Sequence, residues 1–394
     1  MMGNAKLSTL NGNRLMFSIL ALMLLTAHAS AFEMKEIDGT LKIGYAVVAS
    51  DVNGDGKSDI VVVDQLKVVW YENPTWKKRV MIAGGTKPDN VTIAAMDLTG
   101  DGLPEFVIGA GWKPFDTGTP GTLQWLGRGL SLDEPWSLHP IPNDEPTIHR
   151  IRALDLDGDG KPELVSVPLM GRDSTKAKNW FDGRPLRITA YRVPAKPDEP
   201  KAWQPMVLNE DLHVAHNFDK FGTGLIVSSY EGLSALAPAE LGKPWTRMLL
   251  HAADQKKPNE SRGASEVRVS AGGTIASIEP WHGNQVVVYT KSAAGYDRTI
   301  IDAELRWGHA LAWIDEVLIV GIRDNPDPKQ GDTHTAKRGV RTYRRAAAGW
   351  KREIIDEGGI AVEDLTTADL DGDGKPEIIA CGRATGNVRI YWTR

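Results

Sequence analysis

The phrase "DLDGDGKPE" occurs at 155–163 and again at 369–377, with "DVNGDGKSD" at 51–59 and "DLTGDGLPE" at 97–105 as near copies. A chain that writes one acidic, glycine-rich phrase before an apolar run so often is assembled from one repeated supersecondary unit. Weaker copies fill the gaps: "HNFDKFGTGLIVSS" puts Asp219 at the repeat's first position, "EVRVSAGGTIASIE" puts Ala271 there, and "ALAWIDEVLIVG" puts Asp315 there. The seven anchors are 46, 58, 64, 52, 44 and 54 residues apart. A period near 50 without helical periodicity is that of propeller blades.

Two further repeats run in parallel with the first. One is a short segment opened by an aromatic residue: "WKKRVMIA", "WSLHPIPN", "WQPMVLNE", "WTRMLLHA", "YDRTIIDA", "WKREIIDE" and, near the start, "FEMKEIDG" (32–39). The other precedes it, as in "KVVWYE", "LRITAYRV" and "NVRIYW". These counts predict an all-β fold: a seven-bladed β-propeller of four-stranded blades. The last blade lacks an outer strand and residues 32–38 are a spare one, so their pairing with 387–393 closes the ring and removes an open edge. A row of separate β domains would leave the spare strand without a partner.

Residues 1–31 read as a secretory signal: Lys6 and Arg14, the apolar run "LMFSILALMLLTA" (15–27) and the small-residue "ASA" at 29–31. The run is short for a membrane span, so no span is expected after signal removal, and the protein is expected to be secreted or periplasmic. Residues 32–394 form the propeller. The net charge of −5, without a basic stripe, excludes nucleic acid as a partner. Cys381 is the only cysteine, so an internal disulfide is excluded.

In the acidic phrase, oxygen-bearing side chains fall at alternate positions and glycines allow the turn, a pattern suited to Ca²⁺. The expected ligands are Asp155, Asp157, Asp159 and Glu163; Asp369, Asp371, Asp373 and Glu377; Asp51, Asn53, Asp55 and Asp59; and Asp97, Asp101 and Glu105, where Thr99 weakens the set. The competing expectation is a turn whose carboxylates cap their own backbone. The repeated phrase followed by an apolar strand resembles the FG-GAP/VCBS-type propeller repeat over nearly the whole chain. That resemblance implies the fold and is nearly silent on function.

Counting six residues back from each anchor gives Tyr45, Val91, His149, His213, Ser265, His309 and Glu363. Innermost strands line a propeller's axis, so these side chains are expected to ring one mouth. Loops returning to that mouth add Arg172, Tyr230, Glu231, Glu279, His282, Arg323, Arg383 and Trp112. Histidine and glutamate are the natural proton-transfer pair near neutral pH; three imidazoles also suit Zn²⁺ or Mn²⁺. The expected catalytic set is therefore His149, His213, His309, Glu363, Glu279 and His282, with Arg172, Tyr230, Arg323, Arg383 and Trp112 binding substrate. "IEPWHGNQVVVY", "WGHAL" and "CGRATGNVRIYW" resemble the propeller domain of aldos-2-ulose dehydratase-type proteins. That resemblance implies elimination or isomerisation beside the carbonyl of a keto-sugar or uronate glycan. Two readings stand: a carbohydrate lyase or dehydratase, and a non-catalytic propeller that binds carbohydrate or a protein partner through the same face, with Trp112 and Trp281 as platforms.

Overall fold

The computed structural model describes residues 32–129, 131–238, 244–324 and 337–393; the expected signal at 1–31 lies outside them. Seven four-stranded antiparallel sheets follow one another along the chain. The innermost strands are Ala46–Ser50, Thr92–Met96, Ile148–Leu154, Ala215–Phe221, Glu266–Val269, Gly308–Ile314 and Val362–Ala368. They belong to blades one to seven in that order and contact one another around the axis. The seventh blade takes its outer strand, Phe32–Asp38, from the start of the described chain; it pairs with Val388–Thr393 from Phe32 opposite Thr393 to Asp38 opposite Val388. Among the described residues no helix is long and apolar enough to cross a membrane.

Burial follows the layer order. The second strand of a blade is covered on both faces by neighbouring blades, so it is apolar throughout rather than alternating. Asp59–Val63, Glu105–Ala110, Glu163–Pro168 and Glu377–Gly382 are buried at every position. Outer strands such as Lys77–Ala83 keep most side chains in water. Among the described residues the core is correspondingly divided into one apolar cluster per junction between blades, with an eighth around Met170, Trp180, Tyr230 and Trp281. The junction of blades seven and one, for example, joins Ile379, Val388 and Ile390 to Val47, Ile60 and Tyr71.

Tyrosines on third strands also tie blade to blade. The hydroxyls of Tyr71, Tyr343 and Tyr391 donate to Asp38, Asp302 and Asp356 at 2.5, 2.6 and 2.5 Å. Each acceptor lies at or near the end of the preceding blade's outer strand.

The acidic phrases form the turns between first and second strands. In each, the first aspartate accepts backbone N–H bonds from the two glycines, as at Asp155 from Gly158 (2.7 Å) and Gly160 (3.1 Å). Gly158 and Gly160 have φ of 80° and 84°, which requires glycine. The final acid turns inward: Asp59, Glu105, Glu163 and Glu377 accept the N–H of Val52, Leu98, Leu156 and Leu370. The backbone-capping turn thus exists in all four loops. In two of them carboxylate oxygens also converge: those of Asp155, Asp157 and Glu163, and of Asp369, Asp371 and Glu377, lie within 4.8 Å of one another. Asp159 and Asp373 instead accept Lys161 and Lys375 N–H.

Candidate functional site: a histidine cavity at one mouth of the axis

Four innermost strands carry a bulge near their first residue, where the register slips by one: between Ile148 and Arg150, Ala215 and Asn217, Gly308 and Ala310, and Val362 and Asp364. The extra residues are His149, His216, His309 and Glu363. A bulge re-aims a side chain out of the ladder; here four bulges turn three imidazoles and a carboxylate into one space. The mouth lies at the end of the ring opposite the acidic turns.

The space is a cavity of 890 Å³, lined by these four residues together with Tyr45, Arg150, His282, Arg323, Arg383 and an aromatic wall. The wall includes Trp112, Phe115, Trp180, Tyr230, Trp281 and Trp307. Trp180, Trp281 and Trp307 all hold left-handed backbone, with φ of 65°, 46° and 55°. Bulky residues avoid that region, and such strain gathers at functional sites.

His213 is not among the lining residues. The fourth blade replaces the nine-residue acidic turn with a tight turn at Gly222 and Thr223, so its innermost strand runs on to Phe221. The register therefore moves by three, and His216 takes the position expected for His213. His213 instead sets Nδ1 2.9 Å from Glu231 Oε1 and stacks on Phe181.

Glu279 is also outside the cavity: it is fully buried, accepts from Tyr289, and pairs with Arg298 at 2.7 Å. Arg172 lies in a separate small cleft with Asp144, Glu145, Arg184 and Arg187. His149, His282, His309, Glu363, Tyr230, Arg323, Arg383 and Trp112 are brought together as expected. His216, Arg150, Trp180 and Trp307 were not anticipated; the motif "VAHNF" carried His216 three residues beyond the position chosen.

The ring nitrogens are ordered. His149 Nδ1 lies 3.1 Å from the His216 carbonyl, and His309 Nδ1 2.6 Å from the Glu363 carbonyl. His216 Nδ1 is 2.8 Å from Glu266 Oε1, both side chains being 1 % exposed. Carbonyl acceptors at Nδ1 fix the Nδ1–H tautomer of His149 and His309, so their Nε2 lone pairs are free. Burial holds all four imidazoles well below the ordinary histidine value, and nearby arginine charges act in the same direction, so they are neutral near pH 7. His282 Nε2 sits 2.7 Å from His216 Nε2. Two lone pairs do not face each other at that distance; one of the two nitrogens carries the proton that joins them.

His216, His282 and His309 each offer a nitrogen within 4.8 Å of the others. Neutral imidazoles are what a divalent transition metal takes, and His216 and His309 are turned by acceptors behind them, Glu266 and the Glu363 carbonyl, so these residues fit such an ion. Glu363 does not join that set: Arg323 Nη1 holds one oxygen at 2.9 Å and Arg383 Nη1 the other at 2.8 Å. Burial alone would raise its carboxyl, yet the two guanidiniums hold it below the ordinary range. A carboxylate so occupied is a poor base; it fixes the two arginines instead.

The chain is a seven-bladed β-propeller that resembles FG-GAP-repeat propellers. Residues 51–108 match the FG-GAP-like repeat family. It resembles the propeller domain of aldos-2-ulose dehydratase, whose family profile matches residues 120–292. Aldos-2-ulose dehydratase of Phanerodontia chrysosporium is 24 % identical over 279 residues, 66 % of this chain and 25 % of that protein, so the chain matches only about a quarter of its relative's length. Among solved structures, BBS1N in complex with ARL6DN superposes with a TM-score of 0.54 at 14 % identity, covering 92 % of this chain and 95 % of that one. A chain of the mitotic checkpoint complex gives 0.54 at 11 %, covering 97 % and 99 %. Those two likenesses concern the fold alone.

Proposed function

We propose that the protein is a carbohydrate-active propeller of the lyase or dehydratase type, working at the histidine cavity with a divalent transition metal, Zn²⁺ or Mn²⁺, held by His216, His282 and His309. The observation that carries this reading is the convergence of those imidazoles. What such an ion supplies when bound is Lewis acidity toward a carbonyl oxygen. The likeness to a dehydratase's propeller domain supports a keto-sugar or uronate as substrate.

The chain's own groups divide the remaining work. His149, neutral and buried on the cavity wall, is the candidate to accept a proton from an acidified C–H. Arg323 and Arg383, fixed by Glu363, face the cavity and hold an oxyanion or a uronate. The aromatic wall stacks against sugar C–H faces and excludes water. The second reading, binding without turnover, rests on the same wall, where Phe115 is 73 % exposed and available as a platform.

The test is elemental analysis and turnover of purified protein. About one equivalent of Zn or Mn is expected, with water elimination from a 2-keto-sugar. His216→Ala is expected to lose the metal and turnover of that sugar while melting within a few degrees of the parent. Metal and turnover both intact in His216→Ala would overturn the reading; sugar binding without turnover in the parent would favour the second.

We also propose residues 1–31 as a secretory leader and Ca²⁺ on the loops at 155 and 369, where three carboxylates converge. Their mutual repulsion supports a cation there. Chelation is expected to lower the melting temperature; a ligand at about 100 times its Kd contributes about 2.7 kcal/mol per site. Asp157→Ala and Asp371→Ala together should remove most of the chelator's effect. A melt indifferent to chelator, in protein free of calcium, would sink the assignment.

A further inference from the structure

Below the histidine cavity the axis holds a second, smaller chamber of 290 Å³, lined by the innermost strands of six blades. Arg150 lines both spaces and forms the partition between them. Arg152 and Arg268 complete a cluster of three guanidiniums facing the chamber, against one lining carboxylate, Asp364.

Their hydrogen bonds go to neutral groups. Arg150 Nη1 donates to the His149 carbonyl at 3.1 Å. Arg152 donates to the Phe218 carbonyl and to Asn217 Oδ1, both at 2.9 Å. Arg268 Nη1 donates to the Val267 carbonyl at 2.8 Å. Among the described residues none of the three has an acidic partner within ion-pair distance. The carboxylates packed nearby are engaged elsewhere: Asp219 accepts N–H bonds from Lys220 and Val269, Glu266 holds Asn217 and His216, and Asp364 accepts the N–H of Val47. Each guanidinium has five donors, so most of those on the chamber's wall lack a protein acceptor. Arg150 is buried and Arg152 and Arg268 are half-buried, and charges withdrawn from water are ordinarily paired; desolvation, with Arg268 adding to it, pulls Arg152 down to about 10.

We propose that the axial chamber is a binding site for a small tetrahedral oxyanion, phosphate or sulfate, held by the guanidiniums of Arg150, Arg152 and Arg268. Arginine forks match such oxygens in geometry as well as charge. The chamber has room for one such ion and a few waters. The site stands apart from the histidine cavity and does not depend on the activity proposed for it.

The experiment is a thermal melt and calorimetric titration of purified protein with sodium phosphate, then sodium sulfate, against sodium chloride and sodium acetate at equal ionic strength. A rise of about 3 °C is expected with phosphate or sulfate near 100 times Kd, with a stoichiometry near one. The preferred ion separates a phosphate from a sulfate site. Arg152→Gln and Arg268→Gln are expected to lose the rise. Without oxyanion, Arg268→Gln should melt no lower than the parent, because a like charge has been removed. Arg268→Lys, which keeps charge but not the fork, is expected to weaken binding about tenfold and guards against a glutamine variant that fails to fold. His216→Ala should retain the rise, since the ion is not in the histidine cavity. The proposal is overturned by no shift beyond chloride in the parent, by a shift with acetate as large as with phosphate, by a rise that survives Arg152→Gln/Arg268→Gln, or by one abolished in His216→Ala.

Discussion

A chain lacking residues 32–38 is expected to lose cooperative melting and to aggregate at concentrations where the parent stays monodisperse. The deleted strand is the outer strand of the seventh blade, so its removal bares the ladder of Val388–Thr393. An unpaired edge of that length is a template for pairing with another chain. The loss extends beyond the ladder. Asp38 accepts from Tyr71 and from Lys78 Nζ at 2.6 Å, tying the seventh blade to the first. Glu36 accepts from Arg389 Nε at 2.8 Å and from Asn387 at 2.9 Å. Phe32 and Ile37 pack against the clusters on either side of the seventh blade. Together these amount to several kcal/mol, against a total of about 5–15 kcal/mol for a native protein. Differential scanning calorimetry and light scattering read the outcome. A truncated chain that melts like its parent would mean that the ring does not depend on this clasp.

The closing strand was legible because two repeats, independent of each other, had to balance. Seven aromatic-led segments had to serve seven blades, and the only one free for the last blade stood at the start. The histidine mouth was legible where the first residue of the turn was placed correctly, at the acidic turns of the third and seventh blades and at Asp315 of the sixth, since the lining residue lies six before it. It failed at the fourth blade, where Asp219 lies inside the strand and the turn begins three residues later at Gly222, which puts His216 where His213 was expected. The bulges that aim His149, His216, His309 and Glu363 inward have no sequence signature. Apart from Gly308 beside His309, neither glycine nor proline flanks them. Arg150 escaped for a related reason: it is one residue past a bulge, and a one-residue slip decides which way a side chain points. The tyrosine–carboxylate ties were visible only as the endings "EIDG", "TIID" and "EIID", whose aspartates have no assigned partner until the blades are placed side by side.

Glu279 shows the same limit, and its replacement gives the second large effect. It is the last residue of the strand Ile275–Glu279, beside the cavity residues Trp281 and His282 in sequence, which is why it suggested an acid at the mouth. Its side chain instead turns into the fifth blade. Tyr289 donates to one oxygen, and Arg298 Nε and Nη2 take the other at 3.0 and 2.7 Å. Burial raises its carboxyl, against the opposing effect of the Tyr289 and Arg298 bonds. Glu279→Ala would leave Arg298 and the Tyr289 hydroxyl without that acceptor. Breaking a buried pair costs about 3–5 kcal/mol; Arg298 keeps 21 % of its side chain in water, which puts the expected loss near the lower end, about 3 kcal/mol. In a chain of this size that is a fall of roughly 4 °C in melting temperature. Glu279→Gln keeps a carbonyl oxygen for Arg298 and turns its NH₂ to the Tyr289 hydroxyl oxygen, which can accept, so it should lose less than Glu279→Ala. Metal content and sugar turnover measured well below the melt should match the parent in both variants, because Glu279 does not line the cavity. The opposite pattern, an unshifted melt with turnover lost in Glu279→Gln, would return this carboxylate to the chemistry and show that the wall between blade and cavity opens in solution.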